Sequence, residues 1–109
     1  MIITSSLLVR EPYLIDLVDK FILRLPVLHK AIMAAYKSEN KDEFLGLLHQ
    51  LKGVGGNYGY DIITEQCAKI ELQAKNNNDV NALLDDFTIV VEQILAGNDE
   101  NHKIAEQNK

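Results

Sequence analysis

The residues best suited to chemistry in this chain lie in one short stretch, Leu45-Gly-Leu-Leu-His-Gln-Leu-Lys-Gly-Val-Gly-Gly-Asn-Tyr-Gly-Tyr60. It holds a histidine, His49, and a lysine, Lys52, among glycines on both sides. Histidine ordinarily titrates near about 6.5, so a neutral imidazole nitrogen is available as a nucleophile or base around neutral pH. Phe44, Leu47, Leu48, Leu51 and Tyr58 recur at spacings of three and four, the pattern of an amphipathic helix with these residues facing a core. At about 100° per residue, His49 points nearly opposite that stripe. Gly46, Lys52, Gly53 and Gly56 surround it at i−3, i+3, i+4 and i+7.

A glycine in a helix interior costs roughly 1 kcal/mol relative to alanine, so this cluster is unfavourable for the helix itself. A fraying helix end on the solvent side is the ordinary explanation of such a segment, but it needs only one glycine, near Gly59. Glycines before and after His49 clear a flat approach to the imidazole, as docking of a rigid partner requires.

His49-Gln-Leu51-Lys52-Gly53, with Gly59 six positions further on, resembles the His-x-Leu-Lys-Gly-x-x-x-x-x-Gly signature of histidine-containing phosphotransfer (HPt) domains, the carriers of multistep phosphorelays. The resemblance extends from the Phe21-x-x-x-Leu25-Pro26 run to Ile70-Glu71. Leu48 stands where the family often has a small residue, and Val54 where it often has serine or alanine.

The resemblance implies that His49 attacks a phosphoryl group through Nε2 to give a phosphoramidate. Phosphoryl transfer depends chiefly on in-line positioning and charge neutralisation. In the family the Mg²⁺ and the acidic cluster belong to the receiver domain, so no cofactor is expected on this chain. Lys52, one turn along the same face, can meet the phosphoryl oxygens, or it is an ordinary surface lysine. If the connection after the motif helix centres on Tyr60, His49 lies eleven residues before it and Glu71 eleven after, at the same height on adjacent antiparallel helices. The family also tends to place Gln or Glu there. Glu71 is thus the candidate to accept from Nδ1–H, with pairing to Lys75 as the alternative. Leu45, Gly46, Gly53, Gly56 and Tyr60 are expected to form the docking surface. The partners implied are receiver domains of response regulators and of a hybrid sensor histidine kinase.

A 109-residue chain with 47% hydrophobic residues is long enough for one core and too short for two ordinary domains. Its net charge of −5, with 11 scattered Lys and Arg, argues against nucleic-acid binding. No apolar run approaches the ~20 residues that span a bilayer, and the opening residues lack the basic region and cleavage site of a signal peptide, so a cytoplasmic monomer is expected. Cys67 cannot form an internal disulfide and falls at a core position with Ile63, Ile70 and Ala74. His29, His49 and His102 have no metal-binding spacing.

The glycines of Gly53-Val-Gly-Gly56-Asn-Tyr-Gly59 also resemble a loose dinucleotide-binding turn, but the residues before them have a helical period and no second strand follows. A kinase dimerisation pair would need an ATP-binding domain, for which there is no room, so the chain is expected to carry phosphate without kinase activity. The remaining alternative is a helical-bundle interaction or inhibitor module that binds a receiver domain through the same face without being phosphorylated.

The elements that must position these residues are all helical. A short helical turn is expected over Ser6–Arg10. A long helix runs from Pro12 to Lys37, with Leu14, Leu17 or Val18, Phe21, Leu25, Leu28, Ile32 and Ala35 inward, and Pro26 kinking or breaking it. Asn40 with Glu43 reads as a capping box that opens the motif helix, and Gly59 closes it. Asp61 is expected to cap the next helix, about 62–76, supported by Glu65/Lys69 and Glu71/Lys75 pairs. Asn76-Asn-Asn78 ends it, and a last helix from Asp79 to Gly97 turns Val80, Leu83, Leu84, Phe87, Val90 or Val91 and Ile94 inward. The reading is an all-α, antiparallel up-down-up-down four-helix bundle over about residues 12–97, with a short extra N-terminal helix and a polar tail, 98–109, expected to fray.

Overall fold

The computed structural model describes residues 1–108 and is all-helical. Its elements are α1 (Leu7–Arg10), a 3-10 turn (Pro12–Leu14), α2 (Ile15–Lys37), α3 (Lys41–Gly55), a second 3-10 turn (Gly56–Tyr58), α4 (Asp61–Lys75), α5 (Asn81–Ala96) and α6 (Asn98–Gln107). The long helices α2 to α5 close into a ring, each touching the next and α5 returning to α2. Short loops make consecutive helices antiparallel. Two hydrogen bonds tie one end of the ring: Tyr36 Oη donates to Asn81 Oδ1 (2.9 Å) and Lys41 Nζ to Asn77 Oδ1 (2.6 Å).

The inward stripes are those the spacing predicts. Val18, Phe21, Leu25, Ile32 and Ala35 of α2 meet Phe44, Leu48 and Leu51 of α3, Ile63, Cys67 and Ile70 of α4, and Leu84, Phe87, Val91 and Ile94 of α5. Each large apolar side chain buried here contributes roughly 1.5–3 kcal/mol. Leu17 is exposed, so Val18 is the inward member of that pair. Leu48, a departure from the family pattern, is fully buried and therefore a matter of core volume.

Pro26 does not break α2, which is continuous from Ile15 to Lys37. Proline in a helix interior costs about 3 kcal/mol. Pro26 is exposed, and burial of Ile22, Leu25 and Ile32 on the other side of the helix offsets the loss. The start of α3 is as expected: Asn40 Oδ1 accepts from Glu43 N (3.2 Å), and Asn40 Nδ2 donates to Glu43 Oε2 (3.1 Å). Asp61, by contrast, does not cap α4. It is the first residue of the helix, Tyr60 is the cap, and no side chain makes the capping bond. Asp61 still complements the positive end of the helix dipole. Of the two predicted ion pairs on α4, Glu71–Lys75 forms.

The largest departure is at the C-terminus. Residues 98–107 do not fray: they form α6, which packs on α1, α2 and α5, while residue 109 lies outside the described residues. Its anchor is polar, so hydrophobic periodicity gives no hint of it. Asn101 is fully buried; its Oδ1 accepts from Ser5 N (2.8 Å), and its Nδ2 donates to Tyr60 Oη (2.9 Å) and Asn98 Oδ1 (3.1 Å). A buried carboxamide with its donors and acceptor matched costs little, whereas an unmatched one costs about 1–3 kcal/mol.

Cys67 is buried, and burial first, then the nearby Glu71 charge, pushes its thiol up to about 12. The thiolate is the reactive form. Cys67 is therefore expected to resist a thiol–disulfide reagent at pH 8 in the folded chain and to react fully in denaturant. Rapid native labelling would show that α4 opens readily.

Candidate functional site

Glycine and threonine set how closely α3 and α4 approach. Gly55 is buried, and a Cβ there would lie 2.6 Å from Ile63 Cγ2. Thr64 Oγ1 donates to the Lys52 carbonyl (2.8 Å) and accepts from Gly56 N (3.0 Å), pinning α4 to the end of α3. Gly59, with φ +86°, reverses the chain; a Cβ there would run into Ser5 Oγ and the Leu7 backbone nitrogen. Ser6 N closes this contact by donating to the Gly59 carbonyl (3.0 Å).

On the outer side of this hairpin His49 and Glu71 face one another. The His49 side chain is 72% exposed, and its Nδ1 lies 3.3 Å from Glu71 Oε2. That is long for a charge-assisted hydrogen bond, which typically spans about 2.7–2.9 Å, so the contact orients the ring without locking it. The eleven-residue symmetry about Tyr60 therefore brings together the residues expected. The Glu71 carboxylate, only 9% exposed, also accepts from Lys52 Nζ at Oε1 (2.7 Å), and Lys75 Nζ stands 3.8 Å from Oε2. The hydrogen bond from Lys52, then the charges of Lys52, Lys75 and His49, hold this carboxyl below its ordinary range against the cost of desolvation. Glu71 is thus an ionised acceptor near neutral pH. Both partners considered for it are present, His49 closer and Lys75 farther. Lys52, in the free chain, is engaged with Glu71.

Gly46 and Gly53 border open space, with nothing within 4 Å of a Cβ added at either. Gly56 is tighter: an added Cβ would stand 3.3 Å from Asp61 Oδ1 and 3.4 Å from Thr64 Oγ1. Leu45 is half-buried against the core. Tyr60 corrects an expectation. It is 1% exposed, stacks on Phe21 and accepts from Asn101, so it cannot present itself to a partner. Its ring belongs to the core beneath the hairpin turn instead. Gly55, Thr64 and Ser5 were not singled out by sequence reasoning. Gly55 could have been, because it extends the buried Phe44, Leu48, Leu51 stripe; nothing local marks the distant Ser5.

The other histidines are engaged elsewhere. The Thr88 hydroxyl gives its hydrogen to the Leu84 carbonyl (3.0 Å), so His29 Nε2, 2.8 Å from that oxygen, must be the donor. Burial lowers the His29 pKa and keeps the ring neutral. His102 Nε2 lies 2.8 Å from Asp19 Oδ1. Among the described residues no group of His, Cys, Asp or Glu could hold a metal ion, and no helix is long and apolar enough to cross a membrane.

The shared carboxylate separates Lys52 from Glu71 by experiment. Glu71→Ala should change the tautomer balance of the His49 imidazole in the free chain, read by nitrogen NMR, whereas Lys52→Ala should leave the tautomer near that of the parent and shorten the life of a phosphorylated form. An unchanged imidazole in Glu71→Ala would return Glu71 to a surface partner of the lysines. Acid provides a second reading. Because the folded Glu71 carboxyl titrates below its ordinary 4.5, its stabilisation is complete above that pH and is lost as pH falls through the lower folded value. Glu71→Gln should remove this part of the acid sensitivity in urea melts at pH 7 and pH 3.

Comparisons with curated proteins and with solved structures each gave no match. The family model described as Hpt domain matches residues 16–97, from the start of α2 to the end of α5 and including the whole His49 hairpin. This match covers most of the chain: the protein belongs to the Hpt domain family, whose function is histidine phosphotransfer in two-component phosphorelays.

Proposed function

We propose that this chain is a phosphorelay intermediate in which His49 Nε2 takes a phosphoryl group from a receiver-domain aspartate and passes it to another receiver domain. The observation that carries the reading is the pairing of a 72% exposed imidazole with a sheltered carboxylate at its Nδ1 side. With the proton held on Nδ1 toward Glu71, the Nε2 lone pair points to solvent and attacks phosphorus in line. The N–P bond forms as the P–O bond to the aspartate breaks, and the carboxylate leaves with the electron pair. The ring keeps its Nδ1 proton and becomes cationic, which Glu71 stabilises. A cationic phosphoimidazole is also a good donor, so the return step needs no further proton transfer.

Lys52 is one hydrogen bond away from this chemistry. Releasing Glu71 frees its ammonium group to meet the phosphoryl oxygens while the carboxylate turns wholly to the charged ring. Leu45, Gly46, Gly53 and Gly56 supply the low surface on which a receiver rests, and the receiver brings the Mg²⁺. The chain acts as a carrier in the cytoplasm and has no kinase activity of its own.

The test is incubation of the full chain with receiver domains phosphorylated on aspartate. Label on this chain should survive alkali and be lost in acid, the signature of phosphohistidine. Absence of label, with the receiver bound at the same face, would favour the non-phosphorylated module.

A further inference from the structure

A threonine within a helix ordinarily turns its hydroxyl back on that helix and gives its hydrogen to the carbonyl three or four residues before. Thr88 does so, donating to the Leu84 carbonyl (3.0 Å). The Thr64 hydroxyl leaves its helix instead: it donates to the Lys52 carbonyl of α3 (2.8 Å) and accepts from Gly56 N (3.0 Å). Those two backbone groups, four residues apart, are a pair that an α-helix joins directly. The helices α2, α4 and α5 each end with such a bond, from Ser38 N to Ala34, from Asn76 N to Leu72 and from Gly97 N to Gln93. At the end of α3 the Thr64 hydroxyl stands in that place. A side chain inserted into the ladder bends a helix, and here α3 gives way to the 3-10 turn Gly56–Tyr58. The glycines make room for it, since a Cβ at Gly55 would stand 3.3 Å from Thr64 Oγ1 and one at Gly56 3.4 Å.

α4 therefore holds Lys52 at both ends. Thr64 takes its backbone carbonyl, and Glu71 takes its ammonium group at 2.7 Å. Thr64 and Glu71 are about two helical turns apart, so both stand on the same face of α4. The Glu71 carboxylate also faces His49 Nδ1 at 3.3 Å. We propose that Thr64 is a positioning residue for phosphoryl transfer: by standing between the Lys52 carbonyl and Gly56 N, its hydroxyl sets where Lys52 leaves α3 and hence where the ammonium group stands beside His49. The proposal rests on the carrier reading above, in which Lys52 swings from Glu71 to the phosphoryl oxygens. With the root of the lysine fixed by Thr64, that swing is left to the side-chain torsions alone. A misplacement of about 1 Å in a group that must meet a transferring phosphoryl is enough to slow the step. Without the hydroxyl, Gly56 N can close directly on the Lys52 carbonyl, and the last turn of α3 is drawn away from α4.

Thr64→Val keeps the shape of the side chain and removes the hydroxyl, whereas Thr64→Ser keeps the hydroxyl. In the free chain, carbon NMR of the Glu71 carboxyl reads the placement of Lys52 with no phosphate present, because the hydrogen bond from Lys52 is the first cause of the low Glu71 titration. Thr64→Val should move that titration upward, toward its position in Lys52→Ala, and Thr64→Ser should leave it near the parent's. With a phosphorylated receiver in saturating amounts, Thr64→Val should transfer on the order of tenfold more slowly per folded molecule, and Thr64→Ser within about threefold of the parent. In a Lys52→Ala background, Thr64→Val should have no further effect on transfer, as expected of a residue that acts through Lys52. Urea melts give the folded fraction, and if Thr64→Val does not fold, Thr64→Ala takes its place in the same measurements. An unchanged Glu71 titration in Thr64→Val, transfer at the parent rate, or an equal loss with and without Lys52 overturns the proposal. A parent chain that takes no label overturns the carrier reading instead, and the Glu71 titration still decides whether Thr64 places Lys52.

Discussion

His49→Gln is expected to accept no phosphoryl group from a phosphorylated receiver and to remain as stable as the parent to within about 0.5 kcal/mol, the range of ordinary surface substitutions. The side chain makes no core contact, and its one polar partner is a carboxylate 3.3 Å away. Glutamine can still donate to Glu71, so the variant keeps the Glu71–Lys52 bond and removes only the nucleophile. His29→Gln and His102→Gln provide the controls. Each should label like the parent, because His29 Nε2 is spent on Thr88 and His102 on Asp19. Labelling is read after alkali and acid treatment, and stability by urea unfolding. Acid-labile label on the His49 variant would place the acceptor elsewhere and undo the carrier reading.

How much of this was legible in the sequence follows from the kind of force involved. The core of α2 to α5 is carried by apolar periodicity, so its stripes, the Asn40 cap and the Gly59 stop could be read directly. The His49–Glu71 pairing was also legible, since a hairpin turn with a known centre fixes which residues stand level. What periodicity cannot show is a polar anchor between distant segments. Asn101 bonds to Ser5 across 96 positions and to Tyr60 across 41, so α6 looked like a tail and Tyr60 like a surface residue. The charge on Lys52 was legible, but its resting partner was not. A lysine side chain reaches many places, and only the sheltered position of Glu71 decides among them.

The glycines give the other large effect, since neighbours in the same run should respond in opposite ways. At Gly53 an added Cβ meets nothing within 4 Å, so Gly53→Leu should hold or gain up to about 1 kcal/mol of stability from helix propensity. Leucine there also rises one turn from His49, on the face proposed for receiver docking. Transfer should fall on the order of tenfold or more, because a rigid docked partner must place phosphorus in line with Nε2. At Gly55 the first added carbon already lies 2.6 Å from Ile63 Cγ2 and 2.8 Å from Ile63 Cβ. Those atoms belong to a branched, fully buried side chain that has no free end to swing away. Gly55→Leu must therefore separate α3 from α4, at a cost of about 3 kcal/mol or more. Urea melts and transfer per folded molecule, measured on both variants, distinguish the two roles. If Gly53→Leu melts the bundle, or leaves transfer per folded molecule unchanged, the open glycines serve the backbone and are not the floor of a docking site.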